Sequence, residues 1–438
     1  MLINKKNIDK LFYIFILIHV ILWTLVPSFT NNNLPLDTIE ALAWGGNLDW
    51  GFNKHPPASA FFAELFFQIF GNNDWAYYLL SQIFLAFSFL IIFKFSQEIY
   101  KEKIFGFISV LILEGIYFYN YTTPEFNVYI SELPFWTLTV YYSYKAFLKD
   151  HFKDWALVGF FGSIGFLSHY LFSYLLLSIA FFFIFLFWKN GKFNFKSLIA
   201  LEVFVIMIIP HLIWLIENDF ITLTYGFHRT GLGMNDKNFI DHLIYPTSFL
   251  LKQIGILIPF WIMLYTIINK FKIKLNFKDK KLLFLVFINF IPIILIALTS
   301  FLTGSKIKTM WLTPFYLYFG LFFIYLFKER INIKKLKNFY ISFLFFFLLS
   351  PIIYSAISIT QTDKRTDYPG KQVAEKVQYD WNKDHKEPIT VVLGDEWHAG
   401  NISYHLKSRP IWEGPISKDK LNSLSKFTCI DNICIGNR

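Results

Sequence analysis

Two carboxylates, Asp37 and Glu40, stand three residues apart in the stretch NNNLPLDTIEALAWGGNLDWGFNKHPP, residues 31–57. Lys54, His55, Pro56 and Pro57 close that stretch. Positions i and i+3 share a helix face, so both acids can point into one pocket. The double proline cannot continue a helix and fixes the backbone just after the Lys-His pair. Acids and a cation held together beside an apolar span suit a charged or hydroxylated substrate. The plainer reading of the same residues is a solvated loop with scattered charge.

Further polar residues fall at the edges of apolar segments, where they are expensive and therefore candidates for function. Glu125 lies in YNYTTPEFN, beside Pro124 at a helix mouth. His169 and His211 interrupt apolar runs, and His211 follows Pro210. A histidine in such a place more often bonds across helices or satisfies a kinked backbone than touches a substrate. Residues 217–245 carry Asp219, Tyr225, His228, Arg229 and a flexible Gly231 to Gly233 segment. TGSKIKT, residues 303–309, supplies Lys306 and Lys308, which suit an anionic group, a lipid headgroup included.

The elements that hold these residues are transmembrane helices. Of 438 residues, 55% are hydrophobic and only 16% charged, against roughly 25% charged in soluble domains. Eleven apolar spans are expected: about 11–28, 76–97, 104–120, 127–148, 155–170, 171–188, 197–216, 246–268, 282–302, 309–327 and 338–358. The net charge of +10 is not a nucleic-acid signature, because alternate loops hold twenty-three Lys and Arg and the intervening ones five. That asymmetry puts the N-terminus inside and the C-terminus outside. The first apolar run is long for a signal peptide, lacks a cleavage site and reads as a retained anchor. The first external loop, residues 29–75, should contain helices at 38–50 and 58–70, the second lying in the membrane interface. Two domains are expected. A transmembrane domain spans 1–359, and a small α/β domain at 360–438 has a strand at 389–393 and a helix from Ala399. Cys429 and Cys434 can form a disulfide in an oxidising compartment. No cluster has metal-ligand spacing.

The motifs together resemble the GT-C glycosyltransferases of the bacterial protein O-mannosyltransferase and aminoarabinose transferase group, most of all the lipopolysaccharide galacturonosyltransferase-like enzymes. The resemblance rests on DTIEALAWG at 37–45, KHPP at 54–57, TPEFN at 123–127, PHLIW at 210–214, GSKIKTMWLTP at 304–314 and GDEWHAGN at 394–401. It implies a polytopic α-helical fold in the bacterial inner membrane, with the site and C-terminal domain periplasmic. It implies a polyprenyl-phosphate-linked sugar as donor, a glycolipid, glycan or protein acceptor, membrane lipids as partners, and no cofactor or metal. By the resemblance Asp37 is the catalytic carboxylate, with Glu40 and Glu125 as further acids. Lys54, His55, Arg229, Lys306, Lys308 and His211 become substrate-binding candidates. The chain departs from the family's Asp-Glu dipeptide, since Thr38 follows Asp37. A flippase or transporter of lipid-linked saccharides is the alternative. It calls for a polar path through the bilayer, where this chain offers only Glu114, Glu132 and Glu202.

Overall fold

In a computed structural model, residues 7–231, 238–271, 275–430 and 432–438 are described. Lys5, Lys6, Gly233, Lys237, Lys272 and Lys274 lie outside those residues. Helices dominate: α1 (Ile8–Thr30), α2 (Leu36–Gly45), α3 (Ala58–Phe70), α4 (Asp74–Ile99), α5 (Lys103–Leu111), α6 (Val128–Lys149), α7 (Phe152–Ser168), α8 (Ser173–Asn190) and α9 (Ser197–Glu217). They continue through α10 (Ile221–Thr230), α11 (Asp241–Ile256), α12 (Ile258–Ile267), α13 (Lys280–Thr303), α14 (Phe319–Phe327) and α15 (Leu336–Thr360).

Each of the eleven expected spans has a helical counterpart. Among the described residues six helices are long and apolar enough to cross a bilayer, or eight if two bent pairs each count as one span. The bends are 46° between α11 and α12 and 53° between residues 309–316 and 319–330. The other three, α5, α6 and α7, are shorter or more polar. The expected division near His169 is present: its backbone is extended, φ −160° and ψ 133°, between α7 and the turn that leads into α8. Outward faces carry Leu17, Ile21, Ile184, Ile206, Leu344 and Ile352, exposed and apolar, as a lipid-facing surface requires.

The C-terminal segment adds α16 (Gly370–Asp384), β1 (Val391–Leu393), α17 (His398–His405), β2 (Ile411–Trp412), α18 (Lys418–Asn422), β3 (Lys426–Ile430) and β4 (Ile433–Asn437). The sheet order is β2-β1-β4-β3, with β1 and β2 parallel and the other pairs antiparallel. Cys429 and Cys434 face each other across the β3–β4 hairpin and form a disulfide.

This segment keeps only a small core of its own, Val391, Leu393, Leu424 and Cys434, and shares its larger one. Ala43 and Trp44 of α2, Phe52 and Ala60 pack in one cluster with Val377, Trp381, Ile402 and Trp412. Helix α2 stops at Gly45 rather than continuing to residue 50, because the following turn delivers Phe52 to that shared core.

Candidate active site

Asp37 is the second residue of α2. Pro35 at the N-cap offers no side-chain acceptor, so the first N–H groups of α2 need one from elsewhere. Glu125 supplies it: the Asp37 backbone N–H donates to Glu125 Oε1 at 3.0 Å. The Thr38 hydroxyl donates to the Phe126 carbonyl at 3.1 Å. The loop carrying Glu125 is itself fixed by Asn127, which caps α6 by accepting from the N–H groups of Tyr129 and Ile130. Gln82 of α4 donates to the Thr123 hydroxyl at 3.0 Å. Asp37 and Glu125 are thus brought together at the positive end of a short helix.

Asp37 keeps some accessible surface but is ringed by protein, as a group at the bottom of a recess is. Burial holds its carboxyl well above the usual carboxylate range, Glu125 pushes the same way, and Lys54, Lys308 and Arg229 pull it down. Burial also raises Glu125, against the hydrogen bond from the Asp37 N–H. Two acids so placed hold one proton between them more readily than they both ionise.

The cations arrive on two segments tied by one backbone bond. Helix α13 ends at Gly304, whose φ of +60° suits glycine at a helix C-terminus. The chain then reverses, and the Lys306 N–H donates to the carbonyl of Thr230, the last residue of α10, at 3.1 Å. That bond sets Arg229 beside Lys308. Burial and the Arg229 charge lower the Lys308 ammonium, while Asp37 raises it. Lys308 is half-buried and within electrostatic reach of Asp37, whereas Lys306 and Arg229 are exposed.

Three expected substrate contacts are otherwise engaged. Lys54 is not a free phosphate cation: its ammonium lies 2.7 Å from Glu40 Oε1 and 3.1 Å from Glu396 Oε2. Burial works against its charge, but the two carboxylates outweigh it and raise its pKa. Glu40, expected as a second catalytic acid, is committed to the same pair, with burial lifting it to about 7. His55 packs against the rings of Trp44 and His169, each 5.9 Å away, and of Tyr225 at 6.5 Å. Burial, then Lys54 and Arg229, hold it down to about 3, so it is a neutral ring and not a counter-charge. His211 is fully buried with both nitrogens used. Nδ1 donates to the Trp50 carbonyl at 2.6 Å and Nε2 meets the Tyr170 hydroxyl at 2.7 Å. It anchors the first loop to α9.

Several residues here escaped sequence reasoning. Tyr129 lies within electrostatic reach of Asp37, Glu125 and Glu132 and close to Trp311. Its only signal was its place two residues after the Asn127 cap. Trp311 stood in the GSKIKTMWLTP motif without being singled out. In GDEWHAGN, Asp395 caps the turn into α17 by accepting from the Trp397 and His398 N–H groups, and of the two acids it is Glu396 that bonds to the first loop, through Asn53 and Lys54.

Residues 54–214 match the family described as dolichyl-phosphate-mannose-protein mannosyltransferase. No curated protein sequence matches the chain. Among solved structures, ArnT from Cupriavidus metallidurans, crystallised bound to undecaprenyl phosphate, superimposes with a TM-score of 0.65 at 10% identity. The match covers 94% of this chain and 87% of that one. This is a multi-pass membrane protein with the GT-C glycosyltransferase fold, and its 54–214 segment resembles the mannosyltransferase family.

Proposed function

We propose that this chain transfers a single sugar from a polyprenyl-phosphate-linked donor to a hydroxyl of a periplasmic acceptor, whether lipid A or lipopolysaccharide core, another glycan or a protein. The observation that carries the reading is the Asp37–Glu125 pair, partly accessible and within electrostatic reach of Lys308 and Arg229. An acceptor oxygen forms a bond to the sugar C1 while the bond from C1 to the phosphate oxygen breaks. The acceptor proton passes to the ionised carboxylate of Asp37, whose raised affinity for protons suits a general base. The lipid phosphate leaves with a negative charge that Lys308 and Arg229 neutralise in place. Exposed Lys306 adds longer-range attraction for the same anion. The undecaprenyl phosphate bound by ArnT is the ligand chemistry this charge pattern suits.

The test is mass spectrometry of lipopolysaccharide and other envelope glycans from a strain lacking the gene. One sugar increment should vanish, return with the wild-type gene, and stay absent with Asp37→Asn although that variant reaches the membrane at normal level. An unchanged glycan profile in the deletion strain would end the reading.

A further inference from the structure

Behind Asp37 the bundle holds an acid–base pair that the reaction above leaves unused. Glu132 lies in the second turn of α6 with its side chain fully buried. His169 occupies the break before α8, with Nδ1 3.4 Å from Glu132 Oε1. Neither Glu132 oxygen has a hydrogen-bond partner among the described residues, so the imidazole is its nearest relief from burial. Nδ1 of His169 is fully enclosed, whereas Nε2 is not and bonds nothing among the described residues. The ring packs edge-on to Tyr129 at 5.0 Å and against His55 at 5.9 Å. Tyr129 in turn lies within reach of Asp37 and Glu125. The ring of Tyr129 thus stands between the Asp37–Glu125 pair and His169, 10% of whose side chain stays accessible.

A carboxylate 3.4 Å from Nδ1, short of a formed hydrogen bond, favours the proton on that nitrogen and leaves the Nε2 lone pair free to accept. We infer that His169, oriented by Glu132, is a substrate-positioning residue whose Nε2 accepts a hydrogen bond from a hydroxyl of the bound saccharide. The inference rests on the proposed function and adds a polar contact for a sugar, as distinct from its lipid phosphate. The hydroxyl can belong to the donor sugar or to a glycan acceptor, and the binding experiment separates the two.

Two isosteres distinguish this role from a structural one. In His169→Gln the side-chain amide reaches the place of Nε2, while in His169→Asn it reaches only the place of Nδ1, beside Glu132. Each is expressed in the deletion strain, and the sugar increment is quantified. Purified protein is also titrated with undecaprenyl phosphate and, separately, with lipid-linked sugar extracted from the deletion strain. His169→Gln should stay within ~3-fold of wild type and His169→Asn should fall ~10-fold or more, the scale of one hydrogen bond to a positioned hydroxyl. Undecaprenyl phosphate affinity should be unchanged in both. A ~10-fold weaker grip by His169→Asn on the lipid-linked sugar assigns the hydroxyl to the donor, and an unchanged grip assigns it to the acceptor. Wild-type product from His169→Asn, equal damage in the two variants, or parallel loss of undecaprenyl phosphate binding would each overturn the inference. If the wild-type gene restores no sugar increment, the proposed function itself has failed instead.

Discussion

Lys54 and Lys308 are both cations whose fields reach Asp37, yet the structure gives them opposite tasks. Lys54 is held by two carboxylates and keeps only 20% of its side-chain surface, so its removal strands Glu40 and Glu396. Breaking a buried pair from one side costs up to roughly 3–5 kcal/mol, and the remaining exposure here brings the figure lower. Lys54→Ala should therefore lower Tm by several degrees. Lys308→Ala should leave Tm nearly unchanged and weaken undecaprenyl phosphate binding about 10-fold, the worth of one charge-assisted bond. Thermal unfolding beside a binding titration checks both, and the reverse pattern would return Lys54 to the phosphate. A pH effect belongs to the same scale. Glu125 raises Asp37 by like-charge repulsion, so Glu125→Gln should lower the Asp37 pKa and populate the base form at lower pH. The acid limb of a transfer-rate profile should shift to lower pH, and a shift upward would show that Glu125 is not the neighbour that matters. Asp37, Glu125 and Lys308 were legible in the sequence because each stood at the mouth of an apolar span. The second partner of Lys54 was not, since Glu396 is 342 residues away and only the fold brings it near.

At the scale of elements, α2 is the part that carries the site, and it is gripped from both sides. Its N-terminus is capped by the Glu125 loop. The stem of that loop is pinned deeper in the bundle by Asn120, which donates to the Glu114 carbonyl and accepts from Ser350 of α15. Glu114 in turn meets His19 of α1 at 2.8 Å, both fully buried. Its other side lies under α17, where Gly400 approaches so closely that an added Cβ would stand 3.0 Å from Ile39 and 3.2 Å from Ala43. Asn401 and His405 also meet Asn33 in the approach to α2. Composition marks residues 360–438 as polar, and the strand and helix expected there exist. It carries no sign that Ala43 and Trp44 complete the core of that segment, because packing partners remote in sequence leave no periodicity. Gly400→Val, far in sequence from Asp37, should thus cost about 1–3 kcal/mol by overpacking and tilt α2. We expect a lower Tm and a reduced sugar increment together. A normal increment in spite of a lower Tm would show that α17 does not set the position of α2.

Over the whole molecule, charge divides the bundle into two ends. Lys103 meets Asp9, Lys196 meets Asp150, and Lys281 donates to the carbonyls of Glu98 and Ile99, so basic loops far apart in sequence bond to one another. Loops of the other set also meet: Asp37 with Glu125, Thr222 with the Phe52 carbonyl, Lys306 with Thr230, and Asn31 with Tyr354 near the end of α15. The candidate site and the C-terminal segment belong to this second end. Lysine-rich loops resist translocation, whereas a loop with few basic residues crosses readily. The first end should therefore be cytoplasmic and the site end external, where a lipid-linked sugar and an envelope acceptor can meet. The break at His169 is decisive for this alternation, since one continuous helix over 155–188 would invert every later loop and scatter the lysines on both sides. Reporter fusions after Lys153, Lys192 and Lys335 should be active only as cytoplasmic reporters, and fusions after Gly304 and Arg438 only as periplasmic ones. A cytoplasmic signal after Arg438 would mean an even number of crossings. It would set the C-terminal segment on the wrong side of the membrane from an acceptor in the envelope.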